Sequence, residues 1–204
     1  DPDFAWNMFG FSLEWVEDAT GNNRSYLAVG DPLAAALAYV DPEDTSKGTY
    51  EIDQIGAVKL LSLGWLQTQA GVAEADLDGP SAHVGVIKGS PGSRFGWSLE
   101  GVGELFDSPD DPAVDDQLDG LADLVVGAPG ASGGVGYLYG VDVDHSVIAS
   151  VEEWSTDTVK ILLKGDLTHD VGVEFLHVEG SGPANDHFYV GAPYSPSSEA
   201  AVAE

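Results

Sequence analysis

An all-β fold assembled from repeated units of four antiparallel strands is what the sequence predicts, and three observations predict it. Short runs of β-branched, aromatic and aliphatic residues recur between clusters of Gly, Pro, Asp and Ser, the pattern of strands joined by tight turns. Gly and Pro number 26 and 11, enough to turn the chain many times with few helices. The runs also recur in the same order at a long period, the mark of units that bury their faces against one another.

The first unit opens at Phe9-Gly10-Phe11-Ser12-Leu13 with a first strand. A second strand is expected over Ser25 to Val29, ending at Gly30-Asp31-Pro32. The Ala-rich stretch Pro32 to Val40 reads as the one helix of the chain, held to about two turns by the prolines on either side. Ala57 to Leu63 supplies the third strand, and Val84 to Lys88, closing on Lys88-Gly89, the fourth. The second unit repeats this order from Phe95-Gly96-Trp97-Ser98-Leu99, through Leu121 to Val126 and Gly127-Ala128-Pro129, then Val135 to Tyr139 and Val159 to Leu163, closing on Lys164-Gly165. A weaker third copy runs from Val171-Gly172-Val173-Glu174-Phe175 through His187 to Val190 and Gly191-Ala192-Pro193, with a last strand at Ala200-Ala201-Val202-Ala203. The units cover approximately 9–89, 95–165 and 171–204, the third incomplete, within a single domain spanning 1–204. Two and a half units are present.

These residues resemble the FG-GAP repeat, the blade unit of the seven-bladed β-propeller at the head of integrin α subunits and of related bacterial, archaeal and algal surface proteins. The resemblance spans about residues 9–204 and is clearest in the second copy. It implies β-propeller blades of four antiparallel strands, an extracellular or cell-surface location, and a non-enzymatic role in adhesion or in protein or ligand interaction. A protein or glycan ligand would meet the loops between strands. In this reading Phe9 and Phe95 lie buried between blades on equivalent first strands, and the Gly-Ala-Pro turn ends the second strand where a side chain would clash. A closed propeller needs at least four blades, so the chain is expected to belong to a longer polypeptide or to pack against other chains that complete the ring. Its opening Asp1-Pro2-Asp3 fits a processed or excised segment. Two other roles suit the same repeats: a structural subunit of an extracellular filament or surface layer, and an accessory domain of a surface hydrolase.

A candidate cation site lies in the second unit. Gly96 and Gly127 are 31 residues apart, against 20 for Gly10 and Gly30 and 19 for Gly172 and Gly191, and the extra residues are acidic. They lead into the nine-residue stretch from Asp115 to Asp123, with side-chain oxygens at its first, third, fifth and ninth positions and Gly120 at the sixth. Calcium takes six to eight hard oxygen ligands, and a tightly wound loop turns alternate residues inward. The FG-GAP resemblance then implies Ca2+ bound by the side chains of Asp115, Gln117, Asp119 and Asp123 and by the backbone carbonyl of Leu121. Gln117 departs from the usual Asn or Asp and lowers the charge of the site. The register is not kept elsewhere: it gives Asp18, Thr20, Asn22 and Tyr26 in the first unit, and Ser181 to Ala184 with His187 in the third. Glu74 to Gly79 imitates only the first six positions, with Ala82 at the ninth.

Charge excludes several classes. Against 7 Lys and Arg stand 35 Asp and Glu, a formal net charge of -28. Such a surface repels phosphate backbones and anionic membranes, so neither nucleic-acid binding nor membrane insertion is expected, and cations are the natural small partners. Most of this acid fits a solvated, salt-tolerant coat. Cys is absent, which removes disulfides and thiolate chemistry. No apolar run approaches a membrane span. His83, His145, His169, His177 and His187 are scattered, with neither a metal-pair spacing nor a Gly-x-Ser-x-Gly elbow nearby, so no catalytic role is expected. Asn23-Arg24-Ser25 is a glycosylation sequon.

Overall fold

In the computed structural model of the chain, residues 8–17, 25–39, 46, 49–52, 54–71, 84–103, 122–141, 143, 153–155, 160–165, 171–178, 187–191 and 202–203 are described. The first stretch of chain forms β1 (Ser12–Val16), β2 (Tyr26–Asp31), β3 (Ala36–Tyr39), β4 (Thr49–Ile52), β5 (Ala57–Ser62), α1 (Leu63–Thr68) and β6 (Val84–Lys88). The second forms β7 (Ser98–Val102), β8 (Asp123–Ala128), the short helical turn α2 (Ala131–Gly134), β9 (Tyr137–Val141), β10 (Glu153–Ser155) and β11 (Lys160–Lys164). The third forms β12 (Glu174–Val178), β13 (His187–Gly191) and β14 (Val202–Ala203).

The protein is mostly β, with two four-stranded antiparallel arrangements. Sheet 1 runs β1-β2-β5-β6 and sheet 2 runs β7-β8-β9-β11, each antiparallel throughout; sheet 3 runs β12-β13-β14. The period of two decides how they stack. On β2, Tyr26 and Ala28 enter a core shared with Leu124, Val126 and Ala128 of β8, so this core is the seam between sheets 1 and 2. Val125 points the other way, into a core with Leu138, Val171 and Val190 that joins sheet 2 to sheet 3. Leu27 and Val29 of β2 turn away from sheet 2, against Leu61 of β5 and Trp65 of α1. The first strands of the three sheets lie side by side, β1 against β7 and β7 against β12.

Several expectations are corrected. The segment Pro32 to Val40 is not a helix: its Ala36–Tyr39 portion is β3, paired antiparallel with β4 from Ala36↔Ile52 to Tyr39↔Thr49. Pairing across a hairpin overrides the helix propensity of alanine. The Phe-Gly motifs precede the first strands instead of lying in them. Gly10 and Gly96 both have φ +86°, a left-handed conformation that no strand accommodates, so β1 and β7 start two residues further on. The two phenylalanines also differ in burial, Phe95 being 0% and Phe9 41% exposed, because sheet 1 covers Phe95 while no described sheet covers Phe9.

β4, α1, α2 and β10 are not among the elements expected from the sequence. α1 is capped by Ser62, whose hydroxyl accepts the Trp65 N–H at 3.2 Å, and it lays Trp65 over the outer face of sheet 1. β10 leaves the second unit and pairs in parallel with β6, from Glu153↔Val86 to Ser155↔Lys88, giving sheet 1 a fifth strand. No described helix is long and apolar enough to cross a membrane.

Candidate functional site

The junctions between sheets are built from glycines with defined tasks. Just before β7, Gly96 donates its N–H to the Gly127 carbonyl at 3.1 Å, and Trp97 donates to the same oxygen at 3.2 Å. Gly10 and Phe11 treat the Gly30 carbonyl likewise, at 3.0 and 3.2 Å. Across the first junction Ser12 Oγ donates to the Gly96 carbonyl at 2.8 Å, and across the second Ser98 Oγ donates to the Gly172 carbonyl, again at 2.8 Å. A Cβ built on Gly30 would strike the Gly96 carbonyl, and one on Gly127 the Gly172 carbonyl. Isolated parallel bridges, Gly56↔Phe95 and Gly136↔Val171, close each junction on its far side. The serine hydrogen bonds, the glycine close approaches and the parallel bridges thus recur in both junctions.

Phe95 occupies the centre of the first junction. Its ring meets Tyr139 edge to face at 5.4 Å and 65°. Val171 takes the corresponding place in the second junction, a smaller side chain in a smaller core.

Of the sequence-predicted metal ligands, Asp123 lies on a described element. It is the first residue of β8, opposite Val102, and 2% exposed. Its N–H donates to the Gly103 carbonyl at 3.5 Å, and the preceding Ala122 N–H donates to the Glu17 carbonyl at 3.0 Å, which ties the start of β8 to the end of β1. Asp115, Gln117, Asp119 and Leu121 fall outside the described residues, as do Asp18, Thr20 and Asn22, Ser181 to Ala184, Glu74 to Gly79, Asn23, His83, His145 and His169. Tyr26, the ninth position of the first unit's register, is buried and paired with Val16 and Ser62, and His187 is exposed at the start of β13. Among the described residues no group of three or more His, Asp or Glu could hold a metal ion.

Two ionisable groups had no sequence signal. Asp31 is buried at the end of β2, where its carboxylate accepts the Met8 N–H at 3.0 Å. Burial pushes its carboxyl above the usual range, against the opposing pull of the Met8 N–H, the Lys59 charge and the Leu33 N–H. At the surface, hydrogen bonds from the Ser132 and Lys164 side chains hold the Tyr137 hydroxyl below its usual value, and Lys164 Nζ stands 5.4 Å from the centre of the Tyr137 ring. The register of β11 on β9 sets Lys164 opposite Tyr137, and Ser132, at a left-handed φ of 54° in α2, adds the second hydrogen bond.

In comparisons with known proteins, the chain matches no protein family and no curated protein.

Proposed function

We propose that the chain is a calcium-binding, non-enzymatic interaction module of the cell exterior, built from β-propeller blades of the FG-GAP type. The observation that carries this reading is the repetition of one junction between successive sheets. A stack in which first strands neighbour first strands, with glycine meeting glycine and a serine hydroxyl crossing to the next unit, is what radially arranged blades require. Asp123 supports the metal assignment. As the last ligand of the loop it must be held inward where the chain enters β8, and it is buried there. Asp115, Asp116, Asp119 and Asp123 concentrate negative charge in one short stretch, which a divalent cation offsets.

Thermal unfolding with calcium and with chelator tests the metal site. Bound calcium adds about 2.7 kcal/mol when its free concentration is about 100 times the Kd. For a chain of this length that raises Tm by about 5–10 °C. Asp119→Ala abolishes the rise, whereas Asp44→Ala, in an acidic stretch without the register, keeps it. Equal melting with and without calcium removes the site. Chelator-sensitive retention of the chain on a panel of glycans and extracellular proteins tests the interaction role, and binding to none of them counts against it.

A further inference from the structure

One set of strand ends gathers on one side of sheets 1 and 2. β7 starts, β8 ends, β9 starts and β11 ends there, as the pairs Ser98↔Gly127, Ala128↔Tyr137 and Lys164↔Tyr137 show. The Arg94 N–H donates to the Gln54 carbonyl, just ahead of β5, at 3.3 Å and so joins the same end of sheet 1 to it. The acidic stretch ahead of Asp123 enters from the opposite end, where β8 begins. On the gathered end the loops lose their acid. Although the 204 residues include 35 Asp and Glu, the connections 89–97 and 129–136 hold none, and the Gly130 N–H pins the two together by donating to the Ser93 carbonyl at 3.0 Å. Two exposed cations stand there instead. The Arg94 guanidinium carbon lies 5.8 Å from the centre of the Trp97 ring, and Lys164 Nζ lies 5.4 Å from that of Tyr137.

Backbone strain marks the same place. Among the described residues the non-glycines with positive φ are Gln54, Arg94 and Ser132, at 54°, 55° and 54°, and all three lie at this end with their side chains exposed. Glycine takes that conformation without strain, so the turns alone do not call for an amide, a guanidinium and a hydroxyl. Phe11 adds an open ring. It is 44% exposed, and its ring centre lies 4.8 Å from that of Trp97 at a tilt of 54°, next to the ring that carries Arg94. Beyond Ser132, the hydrogen bonds that Ser132 and Lys164 share with Tyr137 carry the surface on to the second cation.

Each part selects a feature of the ligand. A guanidinium fork matches a carboxylate, and a second cation further along the surface suits a negative charge that repeats. An exposed aromatic ring packs against the C–H face of a pyranose, while amide and hydroxyl groups meet sugar hydroxyls. A polymer of uronic acid combines all of these. An acidic peptide brings carboxylates, but extended peptides dock by adding a strand to a sheet edge, and strand ends offer no ladder to extend. The net charge of -28 does not forbid the approach, because physiological salt screens charges beyond about 8 Å and the cations beside the acid-free connections act first. We propose that the surface around Phe11, Gln54, Arg94, Ser132 and Lys164 binds a uronic-acid polysaccharide, with a carboxylate on the Arg94 guanidinium and a sugar ring on Phe11. The proposal rests on the interaction role above, for which it names the ligand class, and is independent of the calcium loop.

Calorimetric titration of the full chain with sodium oligoglucuronate, at one fixed calcium concentration, tests it. Arg94→Gly relieves the strained φ, so it is expected to melt no lower than the parent and yet to bind at least about tenfold more weakly. Arg94→Lys keeps the charge without the fork and should bind about threefold more weakly or worse at an unchanged melting temperature. Unchanged affinity in Arg94→Gly overturns the site. If Arg94→Gly loses its fold, Arg94→Lys decides in its place, and parental affinity there overturns the proposal. A neutral oligosaccharide of the same linkage and an oligoglutamate are each expected to bind at least about tenfold more weakly than oligoglucuronate, and parity of either overturns the uronic-acid assignment. Retention of other glycans or proteins without affinity for oligoglucuronate strikes this proposal and leaves the interaction role standing. A failed calcium loop changes parent and variants alike, whereas a failed site leaves them equal.

Discussion

Replacing Phe95 and Phe9 by alanine in turn separates the energetics of a filled junction from those of an uncovered one. Phe95 is fully buried, and its ring is shared between sheets 1 and 2 with an edge-to-face contact to Tyr139. Truncation removes the transfer free energy of the ring and leaves a void between two sheets that β-ladders hold apart, so about 3–5 kcal/mol is lost. The Tyr139 contact accounts for about 0.5–1.5 kcal/mol of that loss. Phe9 keeps 41% of its surface in water. About 60% of a transfer term of about 2 kcal/mol gives about 1.2 kcal/mol, and water fills the space it leaves, so no cavity term is added. Lys59 Nζ, 5.6 Å from the ring centre, adds about 0.5 kcal/mol at such an exposed site. The expected gap between the two variants is therefore at least about 1.3 kcal/mol, with Phe95→Ala the weaker protein. Urea unfolding followed by circular dichroism reads it: with an m-value of about 3 kcal/mol/M, the midpoints separate by about 0.4 M or more. Coincident midpoints at unchanged m-value would refute the reasoning, since they would mean that sheet 1 does not cover Phe95 in solution.

Two further outcomes are expected. Gly10→Ala and Gly96→Ala share the cost of a left-handed alanine, about 1–2 kcal/mol, but only Gly96→Ala also drives a methyl into the Ala57 carbonyl, so in urea it should lose at least about 2 kcal/mol more. Because burial raises the Asp31 carboxyl above its ordinary 3.8, the folded state holds that proton more tightly than the unfolded chain, and stability falls as pH rises from about 3.8 through the folded value. Asp31→Asn keeps an oxygen for the Met8 N–H and cannot ionise; its urea midpoint should match the parent near pH 3 and exceed it near pH 7, and the reverse order would show that the carboxylate is favoured in the fold.

Strands with a local signature were legible. Val84–Lys88 is a strand over the residues expected, and the runs at Ser25, Ala57, Val135, Val159 and His187 became β2, β5, β9, β11 and β13 with ends shifted by one or two residues. The expected strand from Leu121 begins at Asp123, where pairing with Val102 starts. What could not be read depended on distant partners. Nothing near Ala36 announces that Thr49–Ile52 will pair with it, and nothing near Trp154 announces Ile87. α1 did carry a signal, Ser62 followed three and four residues later by Trp65 and Leu66, but Gly64 inside so short a run obscured it. Of the candidate metal loop, the acidic register was visible in sequence, and the burial of Asp123 at the head of β8 followed from the strand signal after it.

The parallel strand β10 has a consequence in time. It closes the open edge of sheet 1 with a segment that begins 65 residues after the end of β6. At a synthesis rate of roughly 5–20 residues per second, the backbone groups along β6 wait roughly 3–13 seconds for their partner. During that interval the edge of Val84–Lys88 is a template for any passing strand. Lys88 at its end is the kind of charged residue that discourages such pairing. Once Glu153–Ser155 is in place the first two units are interlocked, and sheet 1 can no longer peel away from β6 outward without also releasing a piece of its successor.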